Sequence, residues 1–357
     1  MKAYNLHGVG NLRFEEVTMP KIGHEENGAG SLTGTDIEKD REKKSMDSSR
    51  MGTVLVKVAA CGICGSDIPR VYTNGTYHFP TIIGHEFSGQ VAEAPADAAD
   101  DVKAWQGKRV GIFPLIPCRQ CPQCRKQRYE MCEHYSYLGS RENGGMAEYV
   151  RVPVWNLIEL PENVTFEQAA MMEPMSVAVH AIRRCLPEAL DPASDKSLSL
   201  AVCGMGTIGT FVAMFLKAFG YENVRELRRG DAPEENAYDV FFECVGTLEA
   251  LEEGLKAAAP GGRLQLVGNP AGDMNLPRDI YWKILRKQLT MTGTWNSSFT
   301  HSEDDDWHVV LDLLSQGKIH PEIYITHKFP MEDGGLLKGF ELMHTKAEPY
   351  TKVMGVW

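Results

Sequence analysis

The stretch Leu198-Ser199-Leu200-Ala201-Val202-Cys203-Gly204-Met205-Gly206-Thr207-Ile208-Gly209 decides the fold. Its first half has the length and apolar character of a buried strand, and an apolar helical segment follows to Phe219. A G-x-G-x-x-G motif alone is weak evidence. Between a strand and a helix it is the fingerprint of a dinucleotide site, with the pyrophosphate on the helix N-terminus. The stretch predicts a Rossmann-type α/β domain with cofactor contacts at Gly204, Gly206, Thr207, Ile208 and Gly209.

The segment after this fingerprint is too short for a complete Rossmann half. An acidic residue should end a second strand about 20 residues after the last glycine. The sequence there, Glu222–Asp231, shows no apolar strand that ends in a clear Asp or Glu. Since the next convincing strand is Tyr238–Val245, we expect the domain to lack about one βα unit. Regular elements then return: a helix near Leu248–Ala259, strands at Arg263–Gly268 and Leu289–Trp295, a helix over Asp305–Gln316 and a strand at Tyr350–Trp357.

A second motif pair lies upstream, at Cys64-Gly65-Ser66-Asp67 and Gly84-His85-Glu86. A strand at Val54–Val58 leads into it. A thiolate, an imidazole and a carboxylate are the mixed ligands that a catalytic Zn²⁺ takes. The Ser66 hydroxyl is a candidate proton carrier, and Asp67 is the expected partner that orients His85.

Glu173 is the candidate for a fourth ligand. It lies in a predicted helix, Phe166–His180, within an apolar run, and a buried carboxylate needs a partner such as a metal. In this role it would exchange with Glu86 or water. Cys61, three residues before Cys64, is interpreted as a buried structural thiol.

Four cysteines form the most specific local pattern, Cys118-x₂-Cys121-x₂-Cys124-x₇-Cys132. Four thiolates fit one tetrahedral Zn²⁺ that is closed to substrate and therefore structural. An iron–sulfur cluster uses a similar run, but the ferredoxin-type pattern ends in Cys-Pro, and Cys132 is followed by Glu133. Zinc is therefore favoured.

Composition narrows the class of protein. The 357 residues suffice for two domains, and the net charge of −11 argues against nucleic acid or an anionic membrane as a partner. No run of 18 apolar residues occurs, and the N-terminus lacks the pattern of a signal peptide, so we expect a cytoplasmic protein. Residues 25–52 carry too little apolar content to be buried and predict a surface excursion.

Together these motifs resemble one family, the zinc-dependent medium-chain dehydrogenases, in the polyol branch that contains sorbitol and galactitol-1-phosphate dehydrogenases. The resemblance also rests on Gly144-Gly145-Met146-Ala147-Glu148-Tyr149 and on Glu173-Pro174. The stretches Lys283–Lys287 and Gly293–Ser297 look most like the galactitol-1-phosphate group.

This resemblance implies a domain plan and a set of cofactor contacts. A GroES-like, mainly-β catalytic domain would comprise 1–155 and 297–357, with a zinc lobe at about 114–135 and the insertion at about 25–52. The Rossmann domain would be 156–296, and the chain would form a homodimer or homotetramer. The resemblance implies zinc at Cys64, His85 and either Glu86 or Glu173. It implies nicotinamide contacts at Val267, Gly268, Asn269, Thr294, Trp295 and Asn296.

The resulting hypothesis is oxidation of a secondary hydroxyl of a polyol or polyol phosphate, with galactitol 1-phosphate favoured and NAD as hydride acceptor; NADP stays open. Zinc would acidify the hydroxyl, and Ser66 would carry the proton away. Arg70 would meet the phosphate, with Glu173 and Asn296 as further substrate contacts. Sorbitol, L-iditol and threonine are alternative substrates. A zinc-binding remnant without catalysis is an alternative of another class, and a zinc-ribbon nucleic-acid binder conflicts with the acidic charge.

Overall fold

The structure is a computed structural model that describes residues 1–22, 52–270 and 272–357. The predicted surface excursion at 25–52 lies outside these residues, except for Gly52. Within the described ranges, no helix is long and apolar enough to cross a bilayer.

The described residues form strands and helices with the following bounds. The strands are β1 Lys2–Leu6, β2 Leu12–Glu16, β3 Thr53–Ile63, β4 Thr81–Ile82, β5 Glu86–Glu93, β6 Arg109–Ile112, β7 Leu115–Ile116, β8 Ser136–Tyr137, β9 Tyr149–Pro153, β10 Leu157–Glu159, β11 Leu200–Cys203, β12 Val224–Leu227, β13 Tyr238–Glu243, β14 Ala258–Leu266, β15 Thr290–Gly293, β16 Ile325–Pro330 and β17 Lys352–Val356. The α-helices are α1 Asp67–Pro69, α2 Asp100–Lys103, α3 Phe166–Ala170, α4 Met172–Cys185, α5 Thr207–Ala218, α6 Leu248–Ala257, α7 Arg278–Lys287, α8 Asp306–Ser315 and α9 Leu336–Thr345.

A largely antiparallel sheet forms the framework of the predicted catalytic domain, called the catalytic half below. Its strand order is β10-β6-β5-β3-β17-β16, and β9 also pairs with β3. Strand β3 buries most of its side chains, including the neighbours Val54, Leu55 and Val56, and exposes only Lys57, so it is an interior strand that is covered on both faces over most of its length. Because Gly62 of β3 lies opposite Glu86 of β5, the antiparallel pairing brings the residues just after β3 close to those just before β5.

The second sheet is parallel, in the order β12-β11-β13-β14-β15. Among the described residues this is the Rossmann order without its third strand, so the predicted α/β fold shortened by about one βα unit is confirmed. One detail of the prediction was wrong, because Val224–Leu227 is a strand. Its sequence does not look like a strand because β12 lies at the sheet edge, where Arg225 is exposed and only Leu227 is buried.

The predicted single helix over Phe166–His180 was also wrong. Helix α3 ends at Ala170, and α4 begins at Met172. Pro174 lies in the first turn of α4, where a missing backbone N–H costs nothing, whereas in the middle of one long helix it would break a hydrogen bond. Thr165 caps α3 with a capping box completed by Gln168.

Helix α4 is the element on which the two halves meet. It packs against α5, which follows the glycine loop, and against α8. The buried Asp306 of α8 accepts hydrogen bonds from Arg183 Nη1 at 2.9 Å and from the Ser298 backbone N–H at 2.7 Å, and it pairs with His180 Nδ1 at 2.8 Å. The domain boundary predicted at 297 stays a prediction. Helix α8 follows that boundary in the sequence, yet it packs against α4.

Candidate metal and cofactor sites

Three predicted zinc ligands converge at the junction of β3 and β5. One ligand atom each of Cys64, His85 and Glu86 lies within 4.8 Å of the other two. His85 and Glu86 are 4% and 1% exposed, whereas Cys64 is partly accessible. A soft and a borderline donor with a carboxylate, open on one side, fit a catalytic zinc.

Asp67 contacts two of the three predicted ligands, Cys64 and His85. Its Oδ2 accepts the Cys64 backbone N–H at 3.0 Å, and its Oδ1 lies 3.5 Å from His85 Nδ1. Burial opposes its ionisation, but His85, Arg70 and the Cys64 N–H lower the pKa of Asp67 to about 2. A carboxylate that is ionised and fully buried beside an imidazole is the arrangement that orients a metal-binding histidine.

Ser66 and Arg70 lie beside the thiol. Ser66 Oγ donates to Cys64 Sγ at 3.2 Å, so the proposed proton carrier lies next to a ligand. Arg70 Nη1 donates to Ser66 Oγ at 3.1 Å and to Asp67 Oδ1 at 2.9 Å. Arg70 therefore also braces the ligand shell, a role that the sequence did not indicate.

The sequence did not reveal the hydrogen-bond partners of the Glu86 and Glu173 carboxylates. The Glu86 carboxylate accepts a hydrogen bond from Lys352 Nζ, and Lys352 is 1% exposed. Burial opposes the charge of Lys352, but Glu86 outweighs this effect and raises the pKa of the lysine. Glu173 Oε1 accepts the Tyr137 hydroxyl at 3.0 Å. The only available signal was a lone lysine in an otherwise apolar terminal strand.

Glu173 is held beside the metal cluster without being one of its three converging ligands. Burial raises the pKa of Glu173; nearby His85 offsets this in part, and the Glu86 carboxylate reinforces it. The choice between Glu86 and Glu173 as third ligand therefore stays a prediction, with Lys352 engaged on the first and Tyr137 on the second.

The four cysteines of the zinc lobe converge in the same way. One Sγ atom from each of Cys118, Cys121, Cys124 and Cys132 lies within 4.8 Å of the other three, and all four residues are buried. Burial opposes thiolate formation, but the backbone N–H groups of Cys124 and Glu133 lower the pKa of Cys121 to about 6. The cluster fits one closed tetrahedral zinc.

Cys61 belongs to neither cluster. It is fully buried on β3, and its thiol donates to the carbonyl of Gly62 at 3.6 Å. Burial raises its pKa well above the usual range, which keeps it a neutral thiol.

The glycine loop between β11 and α5 has the close packing that a dinucleotide cradle requires. Gly204 has a φ of +96°, and a Cβ at Gly209 would lie 2.0 Å from the Gly204 carbonyl oxygen. A Cβ at Gly206 would meet nothing within 4 Å, so the middle glycine faces open space at the N-terminus of α5. Glycine is thus required at 204 and 209 by the backbone, and the free side at Gly206 fits an approaching pyrophosphate.

Neighbouring loops at the carboxyl edge of the sheet carry the other predicted cofactor residues. The backbone N–H groups of Val267 and Gly268 both donate to the Glu243 carbonyl, at 2.9 and 3.0 Å. Thr294 Oγ1 and Asn296 Nδ2 are buried and have no hydrogen-bond partner among the described residues. Unpaired buried polar atoms are costly, and a bound dinucleotide or substrate would satisfy them. Ile208 is half-buried, and Asn269 and Trp295 are exposed at the same edge.

The glycine loop also contacts the catalytic half directly. Thr207 Oγ1 donates to the Thr351 backbone carbonyl at 2.5 Å, and Thr351 precedes Lys352, the partner of Glu86. The predicted cofactor loop and the predicted metal pocket are therefore connected through adjacent residues of one segment.

Comparison with known proteins gives consistent matches. The family model for the alcohol dehydrogenase GroES-like domain matches residues 50–162, and that for the zinc-binding dehydrogenases matches 227–316. Galactitol 1-phosphate 5-dehydrogenase of Escherichia coli (strain K12) is 31% identical over 307 residues, 78% of this chain and 86% of the relative. Sorbitol dehydrogenase of Bacillus subtilis (strain 168) is 26% identical over 366 residues, 93% of this chain and 91% of that one. The crystal structure of galactitol-1-phosphate dehydrogenase from Escherichia coli superposes with a TM-score of 0.81 at 27% identity and covers 100% of both chains.

Proposed function

The chain belongs to the zinc-binding dehydrogenases with a GroES-like alcohol dehydrogenase domain, and on that basis we propose that it oxidises a secondary hydroxyl of a polyol or polyol phosphate with hydride transfer to a nicotinamide dinucleotide. The observation that carries the proposal is the convergence of Cys64, His85 and Glu86 beside a serine hydroxyl. Polyol dehydrogenases among its relatives support an oxidoreductase that acts on this substrate class.

The residues divide the work as follows. Cys64, His85 and a carboxylate would hold zinc, which when bound lowers the pKa of a coordinated hydroxyl. Asp67 lies beside the histidine ring, and Arg70 donates hydrogen bonds to both Asp67 and the Ser66 hydroxyl. Ser66 Oγ would then accept the substrate proton and pass it outward, while the glycine loop and the Thr294–Asn296 segment orient the dinucleotide.

Galactitol 1-phosphate is the substrate that we favour, because the relative with 31% identity carries that name and because a guanidinium lies beside the pocket. Arg70 Nη1 donates hydrogen bonds to Ser66 and Asp67. Its remaining donors would meet a phosphate, a geometry for which arginine is suited. Sorbitol, L-iditol and L-threonine are the alternatives within the same chemistry.

The test is a screen of zinc-replete protein against these four substrates and galactitol, with NAD and with NADP. We expect turnover of at least one polyol or polyol phosphate, complete loss in Cys64→Ser and near-normal activity in Cys185→Ser, a buried cysteine outside both clusters. Full activity of Cys64→Ser would refute the metal role. Failure of wild-type protein to bind either dinucleotide at millimolar concentration would instead indicate a zinc-binding remnant.

The phosphate contact has its own test. Arg70→Ala should raise the KM for galactitol 1-phosphate about ten-fold more than the KM for galactitol, the loss of one charge-assisted contact. Since Arg70 also braces Asp67, a fall in kcat for both substrates is expected as well. If the ratio of the two KM values is unchanged, the phosphate proposal fails and the dehydrogenase proposal stands.

The quaternary structure and the cellular compartment complete the proposal. We expect a homodimer or homotetramer in the cytoplasm, and the mass of the purified protein by light scattering checks the first of these.

A further inference from the structure

The carboxyl end of β12 lies beside the glycine loop. Strand β12 runs parallel to β11 with Leu227 opposite Cys203, and the Gly204 backbone N–H donates to the Leu227 carbonyl at 3.0 Å. The first residue after the strand, Arg228, therefore adjoins the loop that would receive the pyrophosphate.

The side chain at this position decides which adenosine ribose a Rossmann domain accepts. About 20 residues after the last glycine, an acid hydrogen-bonds the free 2′-hydroxyl of NAD, whereas an arginine nearby accommodates the 2′-phosphate of NADP. Here the position is occupied by Arg228, with Arg229 next to it. Two guanidinium groups offer the planar donors that bind phosphate in bidentate fashion.

The guanidinium of Arg228 is only weakly engaged within the chain. Its side chain is 70% exposed, and its Nη2 lies 3.9 Å from Glu226 Oε2. The other carboxylate oxygen of Glu226 already receives Lys217 Nζ at 2.7 Å. The charge of Arg228 is therefore largely available to a ligand, because an exposed pair at that distance is weak.

Asp231, the acidic residue that follows β12, is hydrogen-bonded within the turn. Asp231 Oδ2 accepts the Arg228 backbone N–H at 2.8 Å, and the Asp231 N–H donates to the Arg228 carbonyl at 3.0 Å. This turn fixes the backbone of Arg228. Among the described strands β12 is the edge of the sheet, so no further strand pairs with it on the side where a third strand would lie.

We propose that Arg228, with Arg229 beside it, makes this chain selective for the phosphorylated dinucleotide NADP(H) over NAD(H). The inference rests on the proposed function, because it concerns the cofactor of that reaction. It also reverses the expectation of NAD that the resemblance suggested.

Binding of the adenosine half alone tests this inference without turnover. We expect calorimetry to give 2′,5′-ADP an affinity at least about ten-fold above that of 5′-AMP, the effect of one charge-assisted phosphate contact. In Arg228→Ala this preference should largely disappear. Arg225→Ala, which removes an exposed arginine of the same strand before its carboxyl end, should keep it.

NADPH and NADH titrations, followed by nicotinamide fluorescence, separate the possible failures. Tighter binding of NADH than of NADPH by wild-type protein would overturn the inference and leave the proposed function intact. Absence of binding of either dinucleotide would overturn the proposed function as well.

Discussion

Replacing Lys352 with methionine should destabilise the catalytic half strongly. Lys352 Nζ contacts the Glu86 carboxylate and donates to the Ile63 carbonyl at 3.2 Å, and both side chains are almost fully buried. Without the lysine, the Glu86 carboxylate remains buried and loses its hydrogen-bond donor and its counter-charge. Removing one partner of a buried ion pair costs about 3–5 kcal/mol.

The exposed pair Lys108–Glu159 provides the matched control. Its Nζ–Oε2 distance is 2.6 Å, but the side chains are 35% and 55% exposed. Lys108→Met should therefore cost about 0–1 kcal/mol. Urea unfolding of both variants, followed by fluorescence with chelator and with zinc, measures the two losses in free energy of unfolding. Added zinc should reduce the loss for Lys352→Met, because it gives the Glu86 carboxylate a cation.

A double variant separates charge from packing. Glu86→Gln combined with Lys352→Met removes both charges of this buried pair, so it should recover most of the stability that Lys352→Met loses. If Lys352→Met costs no more than Lys108→Met, the reasoning about a buried ion pair is refuted. If the double variant is as unstable as Lys352→Met, the loss comes from the packing of the lysine methylenes.

Two further predictions concern the zinc lobe and the segment before α3. Cys124→Ser should lower the zinc content, measured by elemental analysis, from about two to about one ion per chain, and it should lower the thermal unfolding midpoint. Unchanged zinc content would contradict a four-cysteine site. Arg109 donates to the carbonyls of Pro161, Glu162 and Val164 and lies 4.6 Å from the Phe166 ring. Arg109→Lys should therefore lower the free energy of unfolding in urea by about 2 kcal/mol, because an ammonium group cannot reproduce the planar guanidinium donors. A loss below about 0.5 kcal/mol, the effect of an ordinary surface substitution, would contradict this prediction.

Local spacing made the metal clusters predictable from the sequence. Cys118 to Cys132 lie within one short segment, so their convergence needs little knowledge of the rest of the fold. The glycine fingerprint is equally local, because it needs only a strand before it and a helix after it. Cys64 and His85 were paired from the ligand chemistry of their two motifs, and the antiparallel register of β3 and β5 supplies the physical reason why they meet.

What the sequence did not reveal depends on contacts between distant residues. Lys352 and Glu86 are separated by 266 positions, so nothing near either one indicates the pair. Strand β12 was missed because an edge strand tolerates charge on its open side, and Arg225 and Glu226 hide its short apolar pattern. The break at Met171 was missed because the apolar run continues through it, although Pro174 marked the new helix.

The connection of Thr207 to Thr351 gives the molecule a short mechanical path. One peptide unit separates the carbonyl that anchors the cofactor loop from the lysine that faces a metal-pocket carboxylate. A displacement of the loop by an incoming dinucleotide would act directly on the residue before β17. Binding in one pocket would thereby change the affinity of the other pocket, and by linkage the change in binding free energy would be equal in both directions.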